Sequence, residues 1–265
     1  MNDQKTENPA PPAPGLRIER HSSVSSTNTL AFARARAGDR GGLWIRADEQ
    51  TAGRGRLGRN WTSPVGNMFA SFLLVDPQPR ERIAELPLVA AVALADAIDK
   101  AAGTFGLARL KWPNDLLVEG AKLSGILLEA ETLPDGRLAV VLGIGVNCVS
   151  HPQGGLYPCV DLRALGYRVS ADQVFDCLRR EMSERLEQWA QPDGFEAVRK
   201  AWLNRAAHLG KRITVKGTRE VTGTFVDLDN RGYLVLELET GVRETIYAGD
   251  VFLLGFEHKG SPGTP

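Results

Sequence analysis

The chain has 265 residues, 43% of them hydrophobic and 24% charged, which is ordinary for a globular protein and ample for a large core. Its 32 basic and 32 acidic residues balance, so no global positive field favours nucleic acid. No apolar segment is long enough for a signal peptide or a membrane span, and three cysteines without C-x-x-C spacing indicate free thiols in a reducing cytoplasm. The four histidines are scattered, so we expect no metal site built by the protein.

The first part of the chain is predicted to hold two helices and two strands. Residues 1–15 are polar and proline-rich and should form a disordered lead, with order beginning near Leu16. Ser26-Thr27-Asn28 is typical of a helix N-cap, and its hydroxyls and amide can also hydrogen-bond a ligand, so the two roles are compatible. The predicted elements are a helix at about 28–37, a strand at 43–47, a buried strand at 67–75 and a core helix at 81–102.

Residues 53–59, here called the arginine loop, contain three arginines and three glycines and follow the first predicted strand. Glycine lets the backbone approach a ligand closely, and arginine offers a rigid fork of donors that matches phosphate and carboxylate. The combination suits a polyanionic small molecule. A solvated basic turn or a nucleic-acid patch is the alternative, and the neutral overall charge disfavours the second of these.

Residues 110–131 are predicted to form two apolar strands joined by a hairpin turn at 119–121, which sets Lys122 at the start of the second strand. A lysine at a strand edge often serves solubility only. Pro113 interrupts the first strand, so Asn114 and Asp115 should face a cavity from an irregular segment. A central strand at 138–146 carries two glycines, Gly143 and Gly145, which weaken a strand unless something must come close to it. A bound ligand would supply that reason.

The last part of the chain changes from helices to short strands. Residues 149–169 are predicted to be a flexible flap, and Ser170 opens a capping box for a helix that ends near Ala190. A shorter helix follows around 195–203. From Lys211 onward, five short strands with turn signals predict a small antiparallel barrel. The predicted domains are therefore a lead at 1–15, a catalytic domain at 16–208, a barrel at 209–258 and a disordered tail at 259–265.

Five motifs in order, followed by a small barrel, make the chain resemble the biotin protein ligases over about residues 22–256. The motifs are Ser26-Thr27-Asn28, the run from Gln50 to Arg59, Lys111-Trp112-Pro113-Asn114-Asp115, the run from Lys122 to Glu129, and Gly143-Ile144-Gly145-Val146-Asn147. The resemblance implies an α+β fold in which a mixed or antiparallel sheet with flanking helices, of the class II synthetase-like biotin/lipoate ligase type, precedes an SH3-like β-barrel.

The resemblance also implies an activity. Biotin and ATP with Mg²⁺ would give biotinyl-5′-AMP, and a lysine of the biotin carboxyl carrier domain of acetyl-CoA carboxylase would then accept the biotinyl group. Only about 24 residues precede the first motif, which is too short for the winged helix-turn-helix of bifunctional members. We therefore expect a monofunctional cytoplasmic ligase, a monomer or weak homodimer, without sequence-specific DNA binding or membrane attachment.

Residue roles carry over from the same motifs. Lys122, Arg56 and Asp115 are the predicted catalytic residues, and any Mg²⁺ should arrive with ATP. The predicted biotin contacts are Ser26, Thr27, Asn28, Gln50, Gly53, Arg54, Arg56, Lys122, Gly125, Ile126, Gly143 and Gly145. The predicted ATP and adenylate contacts are Arg54, Arg56, Arg59, Trp61, Asn114, Lys122 and Asn147.

Two other functions compete with this interpretation. A lipoate or octanoate ligase has a related catalytic fold, although the arginine loop and the C-terminal barrel favour biotin. A non-catalytic biotin-responsive regulator or nucleic-acid-binding module is the second alternative. The neutral charge and the missing helix-turn-helix argue against it.

Overall fold

The computed structural model describes residues 17–154 and 157–253. The predicted lead and tail, and residues 254–258 of the predicted barrel, lie outside these ranges. The described chain forms a seven-stranded sheet flanked by helices and a separate five-stranded sheet. The predicted α+β fold is confirmed. Within the described ranges, no helix has the length and apolar character that crossing a membrane requires.

The large sheet is mixed, because its first two strands run parallel and its other neighbours run antiparallel. Its spatial order is β1-β2-β3-β7-β6-β5-β4. The strands are β1 (Arg17–Val24), β2 (Leu43–Gln50), β3 (Met68–Val75), β4 (Arg109–Lys111), β5 (Asp115–Val118), β6 (Ala121–Thr132) and β7 (Leu138–Val146).

Helices cover both faces of this sheet. The helices are α1 (Thr27–Arg36), α2 (Leu86–Ala102), α3 (Ala171–Trp189) and α4 (Gly194–Asn204), with 3₁₀ turns at Arg56–Gly58 and Arg80–Glu85. Helix α1 packs on one face through Ala31, Phe32 and Ala35. On the other face Trp44 is fully buried and lies 4.7 Å from Phe72, centroid to centroid, so the main core sits between the sheet and helices α2 and α3.

The structure differs from the prediction at one helix and one strand. The helix predicted at 81–102 begins only at Leu86, because Pro87 has no N–H to donate and fits the first turn of a helix rather than its interior. Strand β1 was not predicted. Its side chains are exposed or half-buried along its whole length, so it carries no apolar pattern that would mark a strand.

The C-terminal sheet is antiparallel, with the spatial order β11-β10-β9-β8-β12. Its strands are β8 (Arg212–Lys216), β9 (Glu220–Leu228), β10 (Leu234–Glu237), β11 (Arg243–Ile246) and β12 (Asp250–Leu253). Buried Trp112 donates its Nε1–H to the Gly232 carbonyl at 3.1 Å, and Arg199 on α4 forms an ion pair with Asp227 at 2.7 Å. These contacts fix the small sheet beside the segment that joins β4 and β5.

Candidate active site

A cavity of about 300 Å³ lies over β6 and β7, between the N-terminus of α1, the arginine loop and the first residue of β12. All of the predicted site residues except Gly53 line it. The structure therefore brings together residues that are spread over five motifs. The lining residues that the sequence did not single out include Asn60, Thr62, Ile144, Pro152, Tyr157, Cys159 and Asp250.

The glycines of the central strand make room for side chains of the protein itself. A Cβ atom at Gly143 would lie 2.3 Å from Asn28 Oδ1, and one at Gly145 would lie 2.5 Å from Trp61 Nε1. A Cβ atom at Gly125 would approach the Trp61 ring to 3.0 Å. The close approach predicted for this strand exists, but Asn28 and Trp61 make it. The floor of the cavity is thus a glycine surface covered by one amide and one indole.

The polar residues at the start of α1 are buried in a hydrogen-bonded network. Ser26 occupies the N-cap position without a side-chain capping bond, and Gln50 Oε1 instead accepts from the Thr27 amide at 2.9 Å. Ser71 Oγ lies 2.7 Å from Thr27 Oγ1 and 2.5 Å from Asn28 Oδ1. Asn28 Nδ2 donates to Glu129 Oε2 at 2.7 Å. The predicted N-cap cluster is therefore a set of fixed donors and acceptors beside the cavity.

Ser71 and Glu129 belong to this network but were not predicted as site residues. Ser71 is the one polar residue inside the apolar strand β3 and is completely buried, which was a usable signal. Glu129 is half-buried on β6 and also receives Arg54 Nη2 at 3.1 Å. Its place beside Asn28 depends on the pairing of distant strands, which sequence spacing does not reveal.

Lys122 and Asp115 form an ion pair, with Nζ 2.7 Å from Oδ1. Lys122 is near the start of β6 and Asp115 begins β5, so the hairpin between these strands holds both side chains on one wall. The Lys122 amide donates to the Pro158 carbonyl at 2.7 Å, which ties the middle of the predicted flap to this strand. Lys122 Nζ also lies 5.4 Å from the Trp61 ring centroid, within reach of a cation–π contact.

The arginines of the loop contact four different parts of the chain, which are α1, β6, the segment between β4 and β5, and the start of β12. Arg54 donates to Thr29 Oγ1 at 2.8 Å as well as to Glu129. Arg56 donates to Asn114 Oδ1 at 2.9 Å and to the Gly249 carbonyl at 3.1 Å. The Arg59 guanidinium forms an ion pair with Asp250. The loop is therefore fixed over the cavity by its own side chains.

Two predicted contacts have structural roles in the described chain. A Cβ atom at Gly53 would lie 2.4 Å from the Trp61 carbonyl oxygen, so this glycine allows the two ends of the loop to pack together. Asn147 is buried, and its Nδ2 donates to the Val160 carbonyl at 3.1 Å. Asn147 thereby connects the end of β7 to Val160 within the predicted flap.

A second cavity of about 700 Å³ adjoins the first, and both are lined by Asp115, Lys122, Tyr157 and Cys159. Burial raises the pKa of the Tyr157 hydroxyl to about 12, so this phenol is neutral at physiological pH. Burial also lowers the pKa of Lys111, whose Nζ lies 4.2 Å from the Tyr157 ring centroid. Because Lys122 and Asp115 line both cavities, they lie on the wall that the two cavities share.

No group of three or more His, Cys, Asp or Glu side chains with metal-binding geometry occurs within residues 17–154 and 157–253. The two carboxylates that line the first cavity, Asp115 and Asp250, are each paired with a cation of the protein.

Comparison with known proteins decides which family carries this arrangement. Residues 21–147 match the Biotin/lipoate A/B protein ligase family, and residues 208–254 match the biotin protein ligase C terminal domain. The biotin–acetyl-CoA-carboxylase ligase of Paracoccus denitrificans is 41% identical over 243 residues, which cover 88% of this chain and 98% of that relative. The chain belongs to the biotin protein ligase family.

Other biotin protein ligases agree with this assignment. The bifunctional ligase/repressor of Bacillus subtilis is 31% identical over 90% of this chain and 74% of that relative. The biotin protein ligase of Aquifex aeolicus, solved in complex with biotin and ATP, has a TM-score of 0.76 and 28% identity, and the match covers 90% of this chain and 98% of that one. The predicted family and fold are confirmed, and the roles of individual residues stay predictions.

Gly143→Ala is expected to lower the free energy of unfolding by about 1–3 kcal/mol, because its methyl group would overlap the fixed Asn28 amide. Chemical denaturation measures this loss. The matched test is Gly143→Ala in an Asn28→Ala background, where the obstructing amide is absent and the cost should fall by more than half. Strictly additive costs would mean that Asn28 is not what the glycine accommodates.

Proposed function

We propose that this chain is an ATP-dependent ligase that makes biotinyl-5′-AMP from biotin and MgATP and transfers the biotinyl group to one lysine of the biotin carboxyl carrier domain of acetyl-CoA carboxylase. The observation that carries the proposal is the position of Lys122 and Asp115 on the wall shared by two adjoining cavities. Two substrates held side by side would react at this wall. The name of the Paracoccus denitrificans relative and the biotin and ATP bound to the Aquifex aeolicus protein support it.

The first step joins two anions, so cationic donors are the main contribution that the protein must make. A carboxylate oxygen of biotin attacks the α-phosphorus, the bond to the β-phosphate breaks, and pyrophosphate leaves. Lys122 is suited to hold the carboxylate and the developing bridge oxygen, while Arg54, Arg56 and Arg59 face the phosphates. A closed arginine loop also keeps water from the anhydride product.

The buried network beside α1 supports a biotin subsite. Thr27, Asn28 and Gln50 present hydroxyl and amide groups of the kind that a ureido ring requires, and Ile126 adds apolar surface for the rest of the molecule. The buried Nε1–H of Trp61 has no hydrogen-bond partner within residues 17–154 and 157–253.

Mg²⁺ enters this proposal as part of the MgATP substrate. Asp115 and Asp250 are paired with Lys122 and with the loop arginines, so the phosphates supply the oxygen atoms that the cation prefers. The three cysteines are free thiols, which agrees with a reaction in the reducing cytoplasm.

In the second step the carrier lysine attacks the acyl carbon of the anhydride and AMP leaves. The attacking amine must first lose a proton, and Asp115 is the carboxylate nearest to the shared wall. Its Oδ1 lies 2.7 Å from Lys122 Nζ. When Lys122 turns toward the adenylate, that oxygen becomes free to orient the amine or to take its proton.

Lipoate or octanoate is the main alternative substrate, because the family matched by residues 21–147 includes lipoate ligases. The match of residues 208–254 to a biotin ligase domain and the arginine loop favour biotin. A non-catalytic regulator is the second alternative. It would be favoured by a sequence-specific shift of a biotin-operon DNA fragment in place of turnover, which we do not expect.

The substrate is tested by pyrophosphate release with MgATP and biotin, run beside lipoate and octanoate. Mass spectrometry of an added carrier domain then reports the second step. We expect biotin-dependent release and one biotinyl addition to one lysine. Release with lipoate alone, or no release with biotin, would overturn the proposal.

Lys122→Ala is expected to slow pyrophosphate release by about 10²–10³-fold, because a positioned charge is lost from a site that excludes water. Single-turnover assays at saturating biotin and ATP measure this rate. Lys100→Ala is the matched control, since Lys100 is an exposed lysine that also pairs with a carboxylate, Glu181. A near-normal rate in Lys122→Ala would remove Lys122 from the catalytic residues.

Asp115→Asn is expected to slow biotin transfer at least about tenfold more than adenylate formation, because only transfer needs a proton acceptor beside the amine. The two half-reactions are measured separately, the second with preformed biotinyl-5′-AMP. Asp135→Asn provides a control, since Asp135 is paired with Arg137 in a turn away from the cavity. Equal losses in both steps would make Asp115 a residue of the ATP site.

A further inference from the structure

Asp250 is the first residue of β12 in the C-terminal sheet, yet it lines the cavity built on the large sheet. Its carboxylate forms an ion pair with Arg59, and its Oδ1 lies 3.6 Å from Arg56 Nη1. The side chain is only 15% exposed. We propose that Asp250 is a positioning residue of the C-terminal domain that holds the arginine loop closed over the cavity.

The loop has little packing of its own to hold it in place. Its tip is Leu57, which is 78% exposed and adopts a positive φ of 57°. The internal backbone bonds, such as Gly55 N–H to the Arg59 carbonyl at 2.7 Å, shape the turn but do not anchor it to the cavity. Closure therefore depends on what the arginine side chains contact.

The arginine side chains make some of these contacts with the catalytic domain and others with the C-terminal sheet. Near the entry to the loop, Arg54 donates hydrogen bonds to Thr29 on α1 and to Glu129 on β6. Toward the exit, Arg59 pairs with Asp250, and Arg56 reaches both Asn114 and the neighbouring Gly249 carbonyl. The exit half of the loop is therefore held partly by the end of strand β12 in the C-terminal sheet and partly by Asn114.

Asp250 stands on a support that does not depend on the loop. Strand β12 pairs with β8 through four residues, from Asp250 opposite Lys216 to Leu253 opposite Ile213. The C-terminal sheet is itself fixed to the catalytic side by the Trp112 bond to Gly232. The loop consequently takes its position from Asp250, rather than Asp250 from the loop.

The charges explain why an acidic residue suits this place. Arg56 and Arg59 repel each other when both point into one cavity, and a carboxylate between them offsets the repulsion. Two guanidinium groups against one carboxylate still leave net positive charge for an incoming phosphate. Asp250 thus assembles the two cations without cancelling them.

Trypsin cleaves after arginine, so the rate of trypsin cleavage within the arginine loop measures how readily the loop opens. We expect native-state trypsin cleavage after Arg56 and Arg59, mapped by mass spectrometry, to be at least about tenfold faster in Asp250→Asn than in the unmodified protein. Asp250→Glu keeps the charge and should stay within about threefold. Glu244→Gln breaks a comparable ion pair, with Arg219, on the far side of the small sheet and should not change cleavage.

A second measurement rests on the proposed function and separates positioning from folding. Biotinyl-5′-AMP released into solution per carrier biotinylated should rise about tenfold in Asp250→Asn and return toward the original ratio in Asp250→Glu. Asp250→Ser replaces the asparagine variant if circular dichroism shows that the latter does not fold.

Unchanged loop cleavage in Asp250→Asn, or equal acceleration in Glu244→Gln, would overturn the inference. So would faster cleavage without increased release of the adenylate. If the unmodified protein forms no adenylate from biotin, the proposed function fails, while the cleavage measurement still tests whether Asp250 holds the loop.

Discussion

The missing side chains of Gly143 and Gly145 set the geometry of the whole cavity. Because strand β7 presents bare backbone there, the Asn28 amide and the Trp61 ring lie directly against it. Asn28 then connects the start of α1 to β3 and β6, and Trp61 lies beside the Lys122 ammonium. The bare backbone of β7 therefore positions the hydrogen-bonded network around Asn28 and, through Trp61, the Lys122 ammonium. Any larger residue would force one of the two to move.

The cavity concentrates positive charge in a protein whose total charge is zero. Three carboxylates on three different strands hold the four cations that line the cavity. Glu129 on β6 pairs with Arg54, Asp115 on β5 pairs with Lys122, and Asp250 on β12 pairs with both Arg56 and Arg59. Fixed cations need little rearrangement when an anion arrives, which is what makes a polar site effective in catalysis. The carboxylates hold the geometry, and the excess of cations supplies the attraction.

Much of the site could be predicted from the sequence, because the motifs lie in short contiguous runs. The arginine loop carries unusual local chemistry, and the two β7 glycines break the rule that central strands avoid glycine. Lys122 was predicted only from the resemblance of its motif to the biotin protein ligases. The five short strands from Lys211 onward were predicted from alternation and turns, and all five are present. The same method missed β1, because an exposed edge strand does not show the alternation of apolar and polar residues on which the method depends.

Contacts between distant segments could not be predicted. Glu129 meets Asn28 across 101 residues, and nothing near either residue indicates the pairing. Asp250 directly follows Gly249 in the sequence, and its relation to the arginine loop exists only after both sheets have formed. The reason assigned to Gly143 and Gly145 was also incomplete. Glycines in a central strand indicate that another group approaches the strand closely, but they do not show whether that group is a ligand or a side chain of the protein.

The contact between Arg59 and Asp250 spans 191 residues of chain. During synthesis the motifs that would bind biotin and ATP leave the ribosome long before the strand that completes the loop. A partly made chain would therefore possess Arg56 and Arg59 without the carboxylate that pairs with both of them in the folded protein.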